Sequence, residues 1–230
     1  MSLSCLIQLD FPYSIVRSKR KTAAIHVRTG RVEVRIPYFV EDQWALEFLH
    51  SKQSWIRTKL AQQAKSNQQR PVLADGESLL WLGEPCVISL RAELRGVEVE
   101  AGAFVLGVQR NEQMQSALER FFKLKASAYM VPRTLAIAKQ YGLDHKLKNV
   151  KFRRTKTKWG HCTSKGDIQY NWLIMGAPSA VIDYLICHEI CHLQHPNHSQ
   201  AFWRLVARHC PDYKNQQAWL KQNSVRLSWC

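Results

Sequence analysis

The sequence predicts an α+β fold, with a strand-rich half over residues 1–108 and a helix-rich half over residues 109–230. Three observations predict it. Apolar residues alternate with a period of two in the first third of the chain. Glycines at 83, 96, 102 and 107 punctuate short apolar runs. Beyond residue 110 the apolar residues recur at helical spacing over long stretches.

Residues 23–36 (AAIHVRTGRVEVRI) alternate around Thr29-Gly30, which predicts a hairpin that Pro37 ends. From 41 to 64 the period changes. Trp44, Phe48, Trp55 and Leu60 recur at helical spacing with Lys, Gln and Arg between them, and read as core residues of a helix. Residues 66–71 are a polar break, and 79–90 and 97–108 read as further short strands. Asn111 is placed to cap a long helix through Leu118, Phe121, Phe122 and Leu124 to Tyr141. Pro132 is a site for a kink and Gly142 a terminator. Residues 150–159 and 168–174 are strand candidates joined by the turn at 163–167. Pro178 opens a helix to about Leu193, blocked by Pro196, and two helices follow near 199–209 and 213–222.

Composition narrows the class. The chain has 230 residues, 46% hydrophobic, enough to bury a core without disulfides. Disorder, collagen, coiled coil and a secreted mini-protein are set aside. No apolar run approaches the ~18–20 residues of a membrane span. The first residues, MSLSCLIQLDFPYS, lack a basic region and meet Asp10 early, so they do not read as a signal peptide. The seven scattered cysteines then read as reduced thiols, and the expected compartment is cytoplasmic. The net charge of +15 implies a polyanionic partner or a basic surface.

The chemistry concentrates in residues 180–203, AVIDYLICHEICHLQHPNHSQAFW. His188 and His192 lie four apart on a helix, so both imidazoles can aim at one metal ion. Glu189 is turned to reach a water held there rather than the ion. Two ligands and one general base in HExxH form the zincin arrangement. A catalytic zinc site takes a third protein ligand. No Glu follows Glu189, and the only later side-chain carboxylate is Asp212. His195, His198 and His209 remain. His198 lies past the break at Pro196, where the chain can fold back over the ion, and is preferred, with His195 second. The spacing from His192 to His198 also occurs in metzincins. Those need a Gly at the position of His195 and a later Met, and neither is present. Cys187 and Cys191 turn off the His face and read as small core residues. Asp212 reads as a helix-start residue, with Tyr213 beside it as a phenol that could reach the site.

The run from Thr157 to Trp203, with Trp159-Gly160-His161-Cys162, Asn171, His188, Glu189, His192, Asn197, His198, Ser199, Phe202 and Trp203, resembles the bacterial YgjP-like metallopeptidases, also called the WLM-type group. It is similar, more distantly, to the SprT-like proteases that cleave DNA–protein crosslinks. His161 stands where that family usually has Ser, and reads as a substrate-orienting group or a plain turn residue. The resemblance implies zinc and hydrolysis, but no particular substrate. It sharpens the expected fold: the C-terminal half is zincin-like, with a small antiparallel sheet packed on the HExxH helix.

A basic segment precedes the motif. Lys146, Lys148, Lys151, Arg153, Arg154, Lys156 and Lys158 carry seven charges with no acid among them. On a strand, Arg154, Lys156 and Lys158 would share one face. The segment is a candidate groove for DNA or a nucleotide, and residues 150–159 a candidate edge for an extended peptide. The first functional reading is a zinc metallopeptidase acting on polypeptide, acidic or bound to nucleic acid. The second keeps Zn2+ but hydrolyses phosphoesters or phosphoanhydrides, as a nucleotide pyrophosphatase does. The third is a DNA-associated accessory module.

Overall fold

The computed structural model describes residues 9–91, 93–108 and 111–229, with the side chains of Ser66 and Asn111 excepted. Cys5, Cys230 and the expected Asn111 cap therefore lie outside the described residues. The fold class is α+β. The chain forms two compact units, residues 1–69 and 70–230. The division falls in the polar break rather than near 108, because the strands between 78 and 107 share one core with the helices that follow.

In the first unit, β1 (Tyr13–Ser18), β2 (Ala24–Arg28) and β3 (Arg31–Pro37) form a sheet in the order β1-β3-β2. β2 and β3 are the expected hairpin, and Thr29 and Gly30 both take positive φ, as a two-residue hairpin turn requires. β1 joins β3 in parallel, a pairing that local pattern does not reveal. The expected helix is two helices, α1 (Asp42–Ser51) and α2 (Gln53–Gln68). The buried stripe is Ala45, Leu49 and Ile56, packed under Val32, Val34 and Ile36 of β3. Trp44 and Trp55, expected in the core, are each 45% exposed. Trp44 stacks on its own helix neighbour Phe48 instead.

In the second unit, β4 (Ser78–Trp81), β5 (Glu84–Leu90), β6 (Gly96–Glu100) and β7 (Ala103–Gly107) form a mixed sheet in the order β4-β5-β7-β6. Two-residue turns at Leu82-Gly83 and Ala101-Gly102, all with positive φ, close its hairpins. Against it lies α3 (Asn111–Gln140), which runs through Pro132 without interruption. Phe104, Phe121, Phe122, Trp81, Trp172 and Trp229 pack edge to face or tilted at the centre of this core.

A second small sheet follows, of β8 (Asn149–Phe152), β9 (Gly160–Cys162) and β10 (Asp167–Tyr170) in the order β8-β10-β9. It is mixed, not antiparallel: β10 pairs with β8 in parallel and with β9 antiparallel. Since β8 and β9 lie on opposite sides of β10, the chain between them must cross over the end of β10. Residues 153–159 are therefore a crossover loop and not a continued strand, and the shared face of Arg154, Lys156 and Lys158 does not form. Asn171 pins the loop: its N–H donates to the Trp159 carbonyl at 2.7 Å and its Nδ2 to the Thr155 carbonyl at 3.0 Å.

The strand expected over 168–174 stops at Tyr170, and residues 172–176 wind into a buried 3-10 turn that leads into α4 (Ser179–Cys191). Backbone N–H groups of Leu82 and Gly83 donate to the carbonyls of Met175 and Gly176 at 2.9 and 3.0 Å, fixing the start of α4 to the β4–β5 turn. Arg133 of α3 grips Asp183 of α4 through two hydrogen bonds. Two further helices, α5 (Gln200–His209) and α6 (Tyr213–Asn223), complete the unit. Among the described residues no helix is long and apolar enough to cross a membrane.

Candidate metal centre

α4 is buried on most of its surface. Val181, Ile182, Leu185, Ile186 and Ile190 enter the main core, which orients the remaining positions, 188 and 192, toward a cleft. The helix ends at Cys191, but His192 keeps helical dihedrals, and its N–H still reaches the His188 carbonyl at 3.3 Å. The two imidazoles thus stay one turn apart, with ring centroids separated by 4.9 Å. The chain then tightens, the His195 N–H bonding the Cys191 carbonyl at 3.0 Å, and turns back at Pro196. Ser199 caps α5 by accepting from the Phe202 N–H at 3.3 Å, which holds His198 over the first two. His198 lies 5.1 Å from His188 and 4.7 Å from His192 by ring centroid.

One nitrogen from each of His188, His192 and His198 falls within 4.8 Å of the others. Nε2 of His198 is 3.1 Å from Nε2 of His188. Two nitrogens bound tetrahedrally at zinc distances sit about 3.3 Å apart, so this pair is spaced as an ion between them would require. His192 Nδ1 meets the His195 carbonyl at 3.0 Å. A carbonyl only accepts, so Nδ1 carries the proton and Nε2 keeps a lone pair for a ligand role. His195 therefore acts through its backbone, and its ring is not one of the three. Burial, then the neighbouring His192 and His198, push the His188 pKa down to about 3. Three imidazoles so arranged fit a divalent cation of the zinc type.

Phe202 touches all three rings, at 5.0, 4.4 and 4.9 Å. Trp203 stacks on His198, and Tyr213 stacks on Trp203. Tyr213 thus supports a ligand candidate from behind. Asp212 accepts from the side chains of Asn215 and Gln216 at the start of α6, and neither it nor Tyr213 lines the cleft. Cys187 and Cys191 are buried in a separate apolar cluster with Tyr184 and Val206.

Glu189 is 3% exposed, and its Oε2 has no hydrogen-bond partner among the described residues. Burial pushes its pKa up to about 8, with the Lys158 ammonium pulling the other way. Gly160 of β9 makes the room for it: a Cβ there would stand 2.2 Å from Glu189 Oε1. The strand beside α4 is thus β9, at the edge of its sheet, rather than β8 or the loop at 153–159.

The cleft above these groups measures about 1010 Å³. Lys158, His161 and Cys162 line one side and Lys214, Gln217 and Lys221 of α6 another. Sequence reasoning missed the α6 residues, which look there like one polar face of a basic helix, and it missed Tyr184. Tyr184 lies four residues before His188 and so faces the same cleft, its phenol pushed up to about 12 by burial. The i, i+4 spacing to His188 is the signal that could have found it.

A profile described as YgjP-like, metallopeptidase domain, matches residues 21–223. The chain belongs to the YgjP-like metallopeptidases. Membership in this family implies a hydrolase of peptide bonds that works with a divalent metal ion. The YgjP-like match reaches from the first unit to the end of α6. Among solved structures, the metallopeptidase zymogen abylysin of Pyrococcus abyssi is 25% identical, over 41% of this chain and 95% of that one, with a TM-score of 0.37. No curated protein matches the chain.

Proposed function

We propose that this YgjP-like protein is a zinc metallopeptidase in which His188, His192 and His198 hold the ion and Glu189 is the general base. The observation that carries the reading is the Glu189 carboxyl. A buried carboxylate oxygen with no partner is costly, and such groups belong to sites that use them. This one stands beside three converging imidazoles at the floor of a cleft.

When bound, zinc supplies Lewis acidity to the attacking water and to the scissile carbonyl. Glu189 accepts the water proton at Oε2 and returns it to the departing amine. Gly160 and the apolar packing of α4 hold that carboxyl in place. The His195 carbonyl and the Trp203–Tyr213 stack hold His192 and His198. The outer edge of β9 offers its backbone groups to an extended substrate, with His161 beside the bound chain. Buried thiols at Cys187 and Cys191 support a reducing, cytoplasmic compartment.

The test is Glu189→Gln. The variant is expected to bind one zinc per chain and to lose at least about 10²-fold in cleavage of an unstructured polypeptide. Full turnover by the zinc-loaded variant refutes the assignment. Phosphate release from nucleoside triphosphates by wild-type protein that leaves polypeptide intact would replace peptidase by phosphohydrolase. DNA binding with a steep salt slope and no turnover on either substrate would replace both.

A further inference from the structure

Charge is distributed around the cleft with one sign. Lys158, Lys214 and Lys221 line it, and the single carboxylate in its lining is the buried Glu189. A smaller pocket of about 340 Å³ adjoins it through Cys162, His192 and Pro196, and carries Lys146, Lys148 and Lys165 with no acid. Among the described residues none of these six lysines has an ion-pair partner. The ion pairs that do form lie elsewhere, as between Arg133 and Asp183, Lys123 and Glu119, and Arg57 and Asp10. Unpaired like charges gathered around one concavity repel each other and are relieved by an anionic occupant.

α6 presents this charge in a regular array. Lys214, Gln217 and Lys221 are spaced three and four residues apart, so they share one helix face, and that face lines the cleft. Lys214 and Lys221 stand about 10 Å apart along the axis, at 1.5 Å per residue. An extended polypeptide advances about 3.3 Å per residue, so the same distance covers about three substrate residues.

We infer that α6 is a selectivity wall: Lys214 and Lys221, faced by Lys158, recognise acidic side chains of the substrate two to four residues apart. This rests on the peptidase reading above and names its substrate class. A nucleic acid is the other polyanion that lysines attract. Here the lysines ring a site that a scissile peptide must enter, and the family acts on peptide bonds. The apolar lining between them, Trp159, Leu185 and Leu220, suits side chains of a polypeptide.

The test compares two unstructured peptides that differ only in Asp and Glu against Asn and Gln near the cleavage site. Each exposed lysine–carboxylate pair contributes up to about fivefold, so kcat/KM for the acidic peptide should exceed the other by about tenfold at low salt. That ratio should shrink toward one in about 0.5 M salt. K214Q/K221Q should flatten it, and K214E/K221E should invert it. A ratio near one in wild type, with both peptides cleaved, overturns the inference and leaves the peptidase reading standing. A tenfold ratio that survives in both variants also overturns it, since the selectivity then lies elsewhere. Failure of zinc-loaded wild type to cleave either peptide overturns both. Inhibition of wild type, but not of K214E/K221E, by a micromolar oligonucleotide, with both peptides cleaved equally, assigns the lysines to nucleic acid and overturns the inference.

Discussion

Gly160→Ala tests the arrangement at its tightest point. Gly160 does not take a positive φ, so its backbone accepts alanine without strain, and only the added methyl matters. That Cβ would stand 2.2 Å from Oε1, 2.6 Å from Cδ and 2.7 Å from Cγ of Glu189. Non-bonded carbon contacts settle at about 3.5–4.0 Å, so the overlap is about 1 Å or more along three atoms of one side chain. β9 cannot easily yield, because Gly160 pairs with Tyr170, which is fully buried, and the next carbonyl back is held by Asn171. α4 cannot yield, because its other faces fill the core. The carboxyl must move. A displacement of about 1 Å at a reacting group costs on the order of 10²-fold, and overpacking of this kind costs about 1–3 kcal/mol of stability. The expected variant is folded by circular dichroism, carries one zinc per chain, and cleaves polypeptide about a hundredfold more slowly, mostly in kcat. Wild-type turnover by a zinc-loaded Gly160→Ala protein would show that the position of Glu189 does not limit the reaction.

Two further outcomes are expected. His198→Ala removes an exposed ring, so the protein should stay folded while zinc binding by equilibrium dialysis weakens by at least 10²-fold, and unchanged affinity would remove His198 from the ligand set. In the metal-free protein, Glu189 is raised from 4.5 to about 8 when folded. The folded state therefore binds its proton more tightly than the unfolded state. This contribution is fully present below about pH 4.5 and is lost as pH rises through about 8. Chelated Glu189→Gln should then gain stability over chelated wild type at pH 9 relative to pH 5, measured by urea denaturation, and an equal difference at both would refute the burial argument.

The readable parts of the chain are those set by local contacts. The β2–β3 hairpin shows in alternation around Thr29-Gly30, and α4 shows in its apolar run between two prolines. His198 is legible as a ligand candidate from the lack of any later glutamate and from the break at Pro196. What the sequence hides depends on partners far along the chain. β1 has no hairpin mate and is defined only by pairing with β3. Trp44 and Trp55 have helical spacing, but the close approach of β3 favours the smaller Ala45 and Leu49 beneath it. The loop at 153–159 alternates like a strand, yet β10 has only four residues to pair with and takes its two neighbours on opposite sides. The α6 wall is invisible until the helix is docked, since a lysine lining a cleft and a lysine facing water look alike in a helical pattern.

The attachment of α4 to the β4–β5 turn has a consequence for how this protein tolerates change. The links are made by main-chain groups, Leu82 and Gly83 to Met175 and Gly176, so they do not depend on which side chains those positions carry. Two positions are exceptions. A Cβ on Gly83 would strike Pro178 at 2.8 Å, and one on Gly176 would meet Leu227 and the Leu80 carbonyl at 2.7 and 2.9 Å. Random mutagenesis of this joint should therefore find tolerance at the exposed Leu82 and lesions at the two glycines and at Met175, whose side chain is buried in the core. Inactive variants recovered there would be lesions of the joint that seats α4, at residues outside the lining of the cleft.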